Sequence, residues 1–394
     1  MASFEGGPRD LAERRRRGES RVLLGPRVGS TIEALRPFSP PKPILAEAAE
    51  RGFDSSEILH LAANESPLGP SPLAVASALH AVQTSHRFPD VAAPALRRAI
   101  ADRHLVDPEE VVVGNGSSEL IELLVRTFVG PNEAIAAVWP SFVVYRQAAQ
   151  AQGRDAFLAP LIDDCVDLDA LATVCRAETK LCFLASPNNP TGTIVGHVAL
   201  EAFMERIPRS TIVVLDEAYH EFVSDPGAAD GMTLRAAYRD QVVVLRTFSK
   251  AYGLAGLRVG YGVMSKDLAG YVHRVRQPYN VSSVGQAAAL AALKDQAHVD
   301  ETRRVVLEGR DQLEDGFVSL GLAHVPSQAS FVVVRLPIAA SEVERALAAR
   351  GIFVRALDGY GMPEALRVAV GLPEANARFL DALAEVLAVR AGAA

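Results

Sequence analysis

The chain alternates short apolar runs with longer segments of helical periodicity, and this alternation most strongly limits what it can fold into. Val111–Val113 ends at a glycine turn, and residues 117–128 then repeat apolar side chains at helical spacing. Similar apolar runs, each ending in polar residues, are Leu181–Leu184, Thr211–Leu215 and Val242–Leu245. Strands separated by helices predict an α/β fold with a mostly parallel sheet.

The C-terminal part of the chain begins with long Ala- and Leu-rich helical stretches, at about 283–294 and 298–320. The elements predicted after them are strand Phe331–Leu336, helix Ser341–Arg350, strands Ile352–Arg355 and Leu366–Val370, and helix Pro373–Val389. This order predicts a smaller α+β unit.

Four parts of the chain are therefore expected. They are a flexible Arg-rich tail (1–27), an N-terminal arm or small-domain segment (28–60), a large domain (61–290) and a small C-terminal domain (291–394). Prolines 37, 40, 41 and 43 prevent a regular helix throughout the arm, which we expect to cross onto a partner subunit or the small domain.

Composition and charge exclude several classes of protein. With 40 basic and 47 acidic residues among 394, the net charge is −7, so we expect neither nucleic acid nor an anionic membrane as a partner. No run of residues is apolar for long enough to span a membrane. The basic run Arg14–Arg17 is followed by polar residues rather than the apolar stretch of a signal peptide.

Three cysteines (Cys165, Cys175 and Cys182) are too few for a disulfide framework, and their spacing does not suggest a metal site. We expect free thiols in a reducing cytosol, and hence a cytoplasmic protein without a metal.

Polar residues with catalytic potential follow the predicted strands, where the carboxyl ends of parallel strands meet at one edge of the sheet. They are Gly116-Ser117-Ser118, Asn188-Asn189-Pro190, Asp216 with Tyr219, and Ser249-Lys250 with Arg258. A lysine in a loop would by itself be an ordinary surface residue. Together, however, these groups match the needs of pyridoxal phosphate (PLP): an amine for a Schiff base, a carboxylate for the ring nitrogen, hydrogen-bond donors for the phenolic oxygen, and a helix N-terminus with an arginine for the phosphate.

Three of these segments resemble the signatures of the fold-type-I, class I/II aminotransferases: Ser186–Gly192, Asp216–Tyr219 and Ser249–Arg258. Within that family the chain is similar to the histidinol-phosphate aminotransferases. Further supporting segments are Leu61–Pro72, Pro278–Val281, Gly351–Arg355 and Leu366–Gly371. The resemblance implies a mostly parallel seven-stranded sheet between helices, a smaller α+β domain, and a homodimer with its active site at the interface.

The resemblance also implies a role for each candidate near the cofactor ring. Lys250 would form the Schiff base with PLP and, once released by substrate, move the proton between the substrate carbon and the cofactor. Asp216 would pair with the ring nitrogen, and Asn189 and Tyr219 would donate to the phenolic oxygen. Phe142 would stack on the ring, although a lone aromatic residue is more often part of a core.

Two further groups are expected to bind anions. The cofactor phosphate would be held by Ser117, Ser118, Ser249 and Arg258. Arg355 and Arg367 would face the anionic groups of the substrates, because arginine pairs in bidentate fashion with carboxylates and phosphates. For an isolated arginine the ordinary alternative is a surface salt bridge.

The predicted reaction is transfer of an amino group between L-histidinol phosphate and 2-oxoglutarate by a ping-pong mechanism, with an amino donor and a 2-oxo acid as small-molecule partners. An aromatic or other amino-acid aminotransferase is an alternative, as is a PLP-dependent decarboxylase of a phosphorylated amino acid. Two positions depart from the family pattern. Phe88 stands where relatives often have a tyrosine whose hydroxyl reaches the partner's cofactor phosphate. Leu68 stands where some relatives have a tyrosine that helps to hold the substrate phosphate, and others have leucine.

Overall fold

The computed structural model describes residues 43–391 and, before them, only Ile32. The Arg-rich segment predicted to be a flexible tail lies outside the described residues, as does most of residues 28–42 of the predicted arm.

Strands and helices alternate through the middle of the chain, as predicted. The strands are β1 (Leu59–His60), β2 (Val111–Gly114), β3 (Ala134–Trp139), β4 (Asp155–Ile162), β5 (Cys165–Val166), β6 (Thr179–Ala185), β7 (Ile212–Asp216), β8 (Val242–Thr247), β9 (Gly260–Val263), β10 (His324–Val325), β11 (Phe331–Arg335), β12 (Ile352–Phe353), β13 (Arg355–Leu357) and β14 (Met362–Ala369). The helices are α1 (Ile44–Glu50), α2 (Pro72–Val82), α3 (Pro94–His104), α4 (Gly116–Phe128), α5 (Val144–Ala151), α6 (Leu168–Val174), α7 (His197–Met204), α8 (Gly231–Ala237), α9 (Lys266–Val275), α10 (Ser283–Lys294), α11 (Gln296–Ser319), α12 (Ala340–Ala348) and α13 (Pro373–Ala391).

The large sheet has the strand order β2-β9-β8-β7-β6-β3-β4-β5. The strands from β8 to β4 run parallel to one another, whereas β9 is antiparallel to both of its neighbours. The two-residue strand β5 adds an eighth, antiparallel member beside β4. The predicted α/β fold with a mostly parallel seven-stranded sheet is therefore confirmed, with this short strand added at its edge.

The central strands are apolar along their whole length because helices cover both faces of the sheet. Alternate residues of β3 and β6 enter two different cores. Ile135, Ala137, Leu181 and Phe183 pack with α4 and α5 on one face. Ala136, Val138, Cys182 and Leu184 pack with α6 and α7 on the other. With both faces buried, the polar residues of these strands are confined to their ends, which is where the site forms.

A second sheet, antiparallel and of order β10-β11-β14-β13, lies in the C-terminal part of the chain. The single strand predicted over Ile352–Arg355 is wrong. Its first half, β12, pairs in parallel with β1, and its second half, β13, pairs antiparallel with β14. The chain changes partner at Val354, so the two halves belong to different sheets.

The segment before the large sheet packs on this C-terminal part. Ala48 of α1 is buried against Ala348 and Phe353, with Phe53 and Ile58 beside them. The domain limits at residues 60 and 290 remain predictions. Among the described helices, none is both long enough and apolar enough to cross a membrane.

Candidate active site

A cavity of about 290 Å³ opens at the carboxyl ends of the parallel strands. Its lining includes all the residues predicted to contact a cofactor: Ser117, Ser118, Phe142, Asn189, Asp216, Tyr219, Ser249, Lys250 and Arg258. Arg367, predicted to bind substrate, also lines the cavity, whereas Arg355 does not. Residues up to 304 positions apart in the sequence, from Ala63 to Arg367, thus come together around one cavity.

Lys250 presents a primary amine to this cavity from the segment that follows β8. Its Nζ donates to the backbone carbonyls of Asn64 at 3.0 Å and Ala63 at 3.3 Å. Burial, reinforced by the neighbouring Arg367 cation, lowers its pKa to about 8. A much larger fraction of this amine is neutral near physiological pH than for an ordinary lysine, which suits it to act as a nucleophile or a base.

Asp216 ends β7 with a buried carboxyl group. Tyr145 donates to its Oδ2 at 2.7 Å, and the backbone N–H of Ala218 donates to its Oδ1 at 3.2 Å. Burial raises the pKa of Asp216 to about 6, although both hydrogen bonds oppose the rise. A carboxylate in this position would be stabilised by a cationic ring nitrogen placed opposite it.

An anion-binding cradle lies at the start of α4. The first N–H groups of a helix have no partner within the helix, so those of Ser117 and Ser118 are oriented to bind an anion. The Arg258 guanidinium lies so close to Gly116 that a Cβ at Gly116 would collide with it. Arg258 also donates to Ser249 Oγ at 3.1 Å. A helix N-terminus, an arginine and a hydroxyl therefore converge, a combination suited to phosphate.

Two hydrogen-bond donors remain available beside Lys250. Asn189 accepts a hydrogen bond from Arg367 on Oδ1 at 2.5 Å, so its amide N–H groups are left to donate. The Tyr219 hydroxyl accepts from Asn64 Nδ2 at 3.0 Å, which leaves its own hydrogen to donate. Both could donate to a single acceptor oxygen in the cavity.

Arg367 and Arg355 are directly opposite each other on β14 and β13. Arg367 is buried and donates to Asn189 and to the Ala62 carbonyl, while its Nε has no hydrogen-bond partner in the structure. Arg355 lines a neighbouring depression with Ala62 and Glu344. Two cations facing each other on one side of a sheet repel, so this pair favours a bound anion.

Comparison with known proteins settles the family. The model of the family "Aminotransferase class I and II" matches residues 56–383. The chain belongs to the class I and II aminotransferase family. The predicted family and the prediction of a transaminase are therefore confirmed.

The aminotransferase is most informatively compared with three relatives. It is 48% identical over 364 residues to histidinol-phosphate aminotransferase of Anaeromyxobacter sp. (strain Fw109-5), covering 92% of this chain and 99% of the relative. It is 41% identical to that of Moorella thermoacetica, covering 94% and 95%. A crystal structure of histidinol-phosphate aminotransferase from Sinorhizobium meliloti in complex with pyridoxal-5'-phosphate superposes with a TM-score of 0.81, at 28% identity, covering 92% and 97%.

Sequence analysis of the aminotransferase missed several residues that line the cavity: Asn64, Tyr145, Thr247 and Tyr360. Asn64 lies in a segment used only to identify the family. Tyr145 follows Phe142 by three residues, a helical spacing that could have placed both on one face. Tyr360 lies in a turn and has no comparable signal.

Proposed function

We propose that this aminotransferase is a PLP-dependent histidinol-phosphate aminotransferase. It would convert L-histidinol phosphate and 2-oxoglutarate to imidazole acetol phosphate and L-glutamate by a ping-pong mechanism, as one step of histidine biosynthesis. One observation supports this most: a cavity that combines Lys250, Asp216 and an anion cradle. The similarity to relatives that bear this name supports the choice of substrate.

The residues present fit PLP. The cradle of Ser117, Ser118, Ser249 and Arg258 would hold its phosphate, and Asp216 would face its ring nitrogen. The free donors of Asn189 and Tyr219 would bind its phenolic oxygen, with Phe142 against the ring. When bound, PLP supplies an electron-withdrawing ring that acidifies the C–H bond next to the substrate amino group.

Lys250 would hold the cofactor covalently between turnovers and then act as the base. Its amine lies next to the carbonyl of Asn64, in the wall that also contains Asp216 and Arg367. A pKa of about 8 lets the released amine both accept and return a proton at Cα near physiological pH. Tyr219 lies beside it, with its ring 5.5 Å from Nζ.

Arg367 would bind the carboxylate common to glutamate and other amino acids, because its buried Nε remains unpaired. Arg355, its cross-strand partner, would bind the distal anion of the substrate from the neighbouring depression. Both assignments use the forked geometry of the guanidinium group.

We further propose a cytoplasmic homodimer. Helix α2 exposes apolar side chains at helical spacing: Val75, Leu79 and Val82. Phe88 is 80% exposed and stacks on the half-exposed ring of Tyr279, with centroids 4.7 Å apart. A second copy covering these apolar side chains would remove them from water. The three cysteines are free thiols, as we expect for a protein of the reducing cytosol.

A substrate panel tests the proposed function. Purified enzyme loaded with PLP is mixed with single donors, and the absorbance change of the cofactor is followed for each half-reaction. The proposal predicts fast conversion with L-histidinol phosphate and recovery with 2-oxoglutarate. Conversion with aromatic amino acids alone would identify an aromatic aminotransferase instead, and release of CO₂ without any need for 2-oxoglutarate would identify a decarboxylase.

A further inference from the structure

Tyr360 and Trp139 form a stacked aromatic pair at the edge of the cavity. Their ring centroids are 5.7 Å apart and their planes are inclined by 22°. Trp139 ends β3 of the large sheet, and Tyr360 lies in the turn between β13 and β14 of the small sheet. The pair therefore connects the two sheets beside the site.

Arg146 packs on the Trp139 ring of this pair, whereas Tyr360 is partly exposed to the cavity. The Arg146 guanidinium lies 4.6 Å from the Trp139 ring centroid, which holds the indole from α5. Both rings are only half-buried, and Tyr360 lines the cavity. A flat aromatic surface of fixed orientation thus remains partly uncovered within the site.

Four aromatic residues line the described cavity, and Tyr360 is the one that has no role in the proposed reaction. Phe142 lies where the cofactor ring is expected, Tyr145 is bonded to Asp216, and Tyr219 is bonded to Asn64. Tyr360 instead belongs to the turn that leads into the strand of Arg367, and its hydroxyl interacts with the Arg367 guanidinium, which leaves the ring face free for another contact. A substrate with its amino group at Lys250 and its carboxylate or phosphate at the Arg367–Arg355 pair would extend its side chain toward this turn.

We propose that Tyr360, backed by Trp139, selects substrates whose side chain is a flat aromatic or heteroaromatic ring. A ring packed on an aromatic face gains favourable quadrupole and dispersion contacts that a branched aliphatic chain of similar volume lacks. This inference rests on the proposed transaminase function and deepens it. Tyr360 would act on specificity, with no part in proton transfer.

The test compares half-reactions of the PLP-loaded enzyme with four donors: L-histidinol phosphate, L-phenylalanine, L-leucine and L-glutamate. Tyr360→Leu should lower kcat/KM for the two ring-bearing donors by roughly 2- to 12-fold relative to the two others. Tyr360→Phe keeps the ring and should retain the wild-type ratio. Tyr271→Leu is a matched control, because Tyr271 is half-exposed on α9 and does not line the cavity.

Two results would overturn the inference. An equal loss for all four donors would make Tyr360 a structural residue, and a Tyr360→Phe defect as large as that of Tyr360→Leu would assign the effect to the hydroxyl group. If Tyr360→Leu does not fold, Tyr360→Met also removes the ring and makes the same comparison. Rejection of histidinol phosphate by the wild type, together with a selective loss for phenylalanine in the variant, would contradict the proposed substrate while supporting ring selection.

Discussion

Tyr145 donates a hydrogen bond of 2.7 Å to Asp216, joining the start of α5 to the end of β7 inside the cavity wall. Burial and the neighbouring Asp216 carboxylate raise the pKa of Tyr145, so the phenol keeps its proton and remains the donor. The bond orients one carboxylate oxygen without supplying a cation. Asp216 therefore remains costly to ionise until a positive group is placed opposite it.

Replacing Asp216 with asparagine should stabilise the apoenzyme and abolish tight cofactor binding. The pKa of Asp216 is raised from 3.8 to about 6, so its ionisation destabilises the folded state as pH rises through that window. At pH 8 the cost is about 3 kcal/mol, and it vanishes below about pH 4. The Tm of apo Asp216→Asn should be higher than that of the apo wild type at pH 8, and this difference in Tm should shrink toward pH 4.

The exposed carboxylate of Asp267 on α9 provides the matched control. Asp267→Asn should change the free energy of unfolding by no more than about 0.5 kcal/mol at either pH. If apo Asp216→Asn is less stable than the wild type at pH 8, ionisation of the buried Asp216 carboxyl group does not destabilise the folded state.

Replacing Arg355 with methionine should affect substrate choice more than stability. Loss of a charge-assisted hydrogen bond to the distal anion should lower kcat/KM for histidinol phosphate by roughly 10- to 150-fold and leave phenylalanine, which has no such anion, almost unchanged. Because Arg355 faces Arg367 across the strand pair, the substitution should leave the free energy of unfolding unchanged or slightly higher.

Arg126 is exposed near the end of α4 and does not line the depression, so Arg126→Met is the control and should have little effect on either substrate. Arg367→Met should instead impair glutamate and phenylalanine together. Equal impairment of every substrate by Arg355→Met would mean that Arg355 has a structural role.

A hydroxyl group at residue 88 should tighten cofactor binding if Phe88 approaches the partner's cofactor phosphate. Phe88→Tyr would add one neutral hydrogen bond, worth about 0.5–1.5 kcal/mol, and should lower the Kd for PLP by roughly 2- to 12-fold. Equilibrium dialysis of the apoenzyme with PLP measures this Kd. Phe88→Leu is the control, because it also changes the side chain but adds no hydroxyl group. An unchanged Kd for Phe88→Tyr would place residue 88 away from the phosphate.

A charge on the exposed face of α2 should break the proposed dimer. Leu79 is 66% exposed, and Leu79→Glu would bury an unpaired carboxylate in the interface. We expect this variant to sediment as a monomer with reduced activity at micromolar concentration. Val318 of α11 is equally exposed at 65%, so Val318→Glu should remain dimeric. A fully active wild-type monomer would contradict the proposal.

The alternation of strands and helices along the chain could be anticipated because local sequence patterns determine it. Val111–Val113 followed by a glycine turn became β2 and α4, and each polar segment after the apolar runs contributes at least one residue to the same cavity. Asn189, Asp216 and Lys250, which belong to the family motifs, line that cavity, and their chemical roles stay predictions.

Features that depend on distant contacts could not be anticipated in this way. The break at Val354 depends on β1, almost 300 residues earlier, pairing with β12. Asn64 meets the Tyr219 hydroxyl across 155 positions, and Tyr145 meets Asp216 across 71. Neither contact follows from the local hydrophobic periodicity, because each joins residues that only the tertiary fold brings together.

The most direct test of the proposed site is the identity of the lysine that would hold the cofactor. Among the described lysines, Lys180 is ion-paired with Glu133 and Lys266 with Asp107, whereas Lys250 lies in the cavity beside two backbone carbonyls. Borohydride reduction of the PLP-loaded enzyme, followed by peptide mapping, should place the pyridoxyl group on Lys250. Lys250→Ala should still bind PLP and lose turnover by several orders of magnitude. A label on Lys180 or Lys266, or a Lys250→Ala variant with near wild-type turnover, would contradict the proposed site.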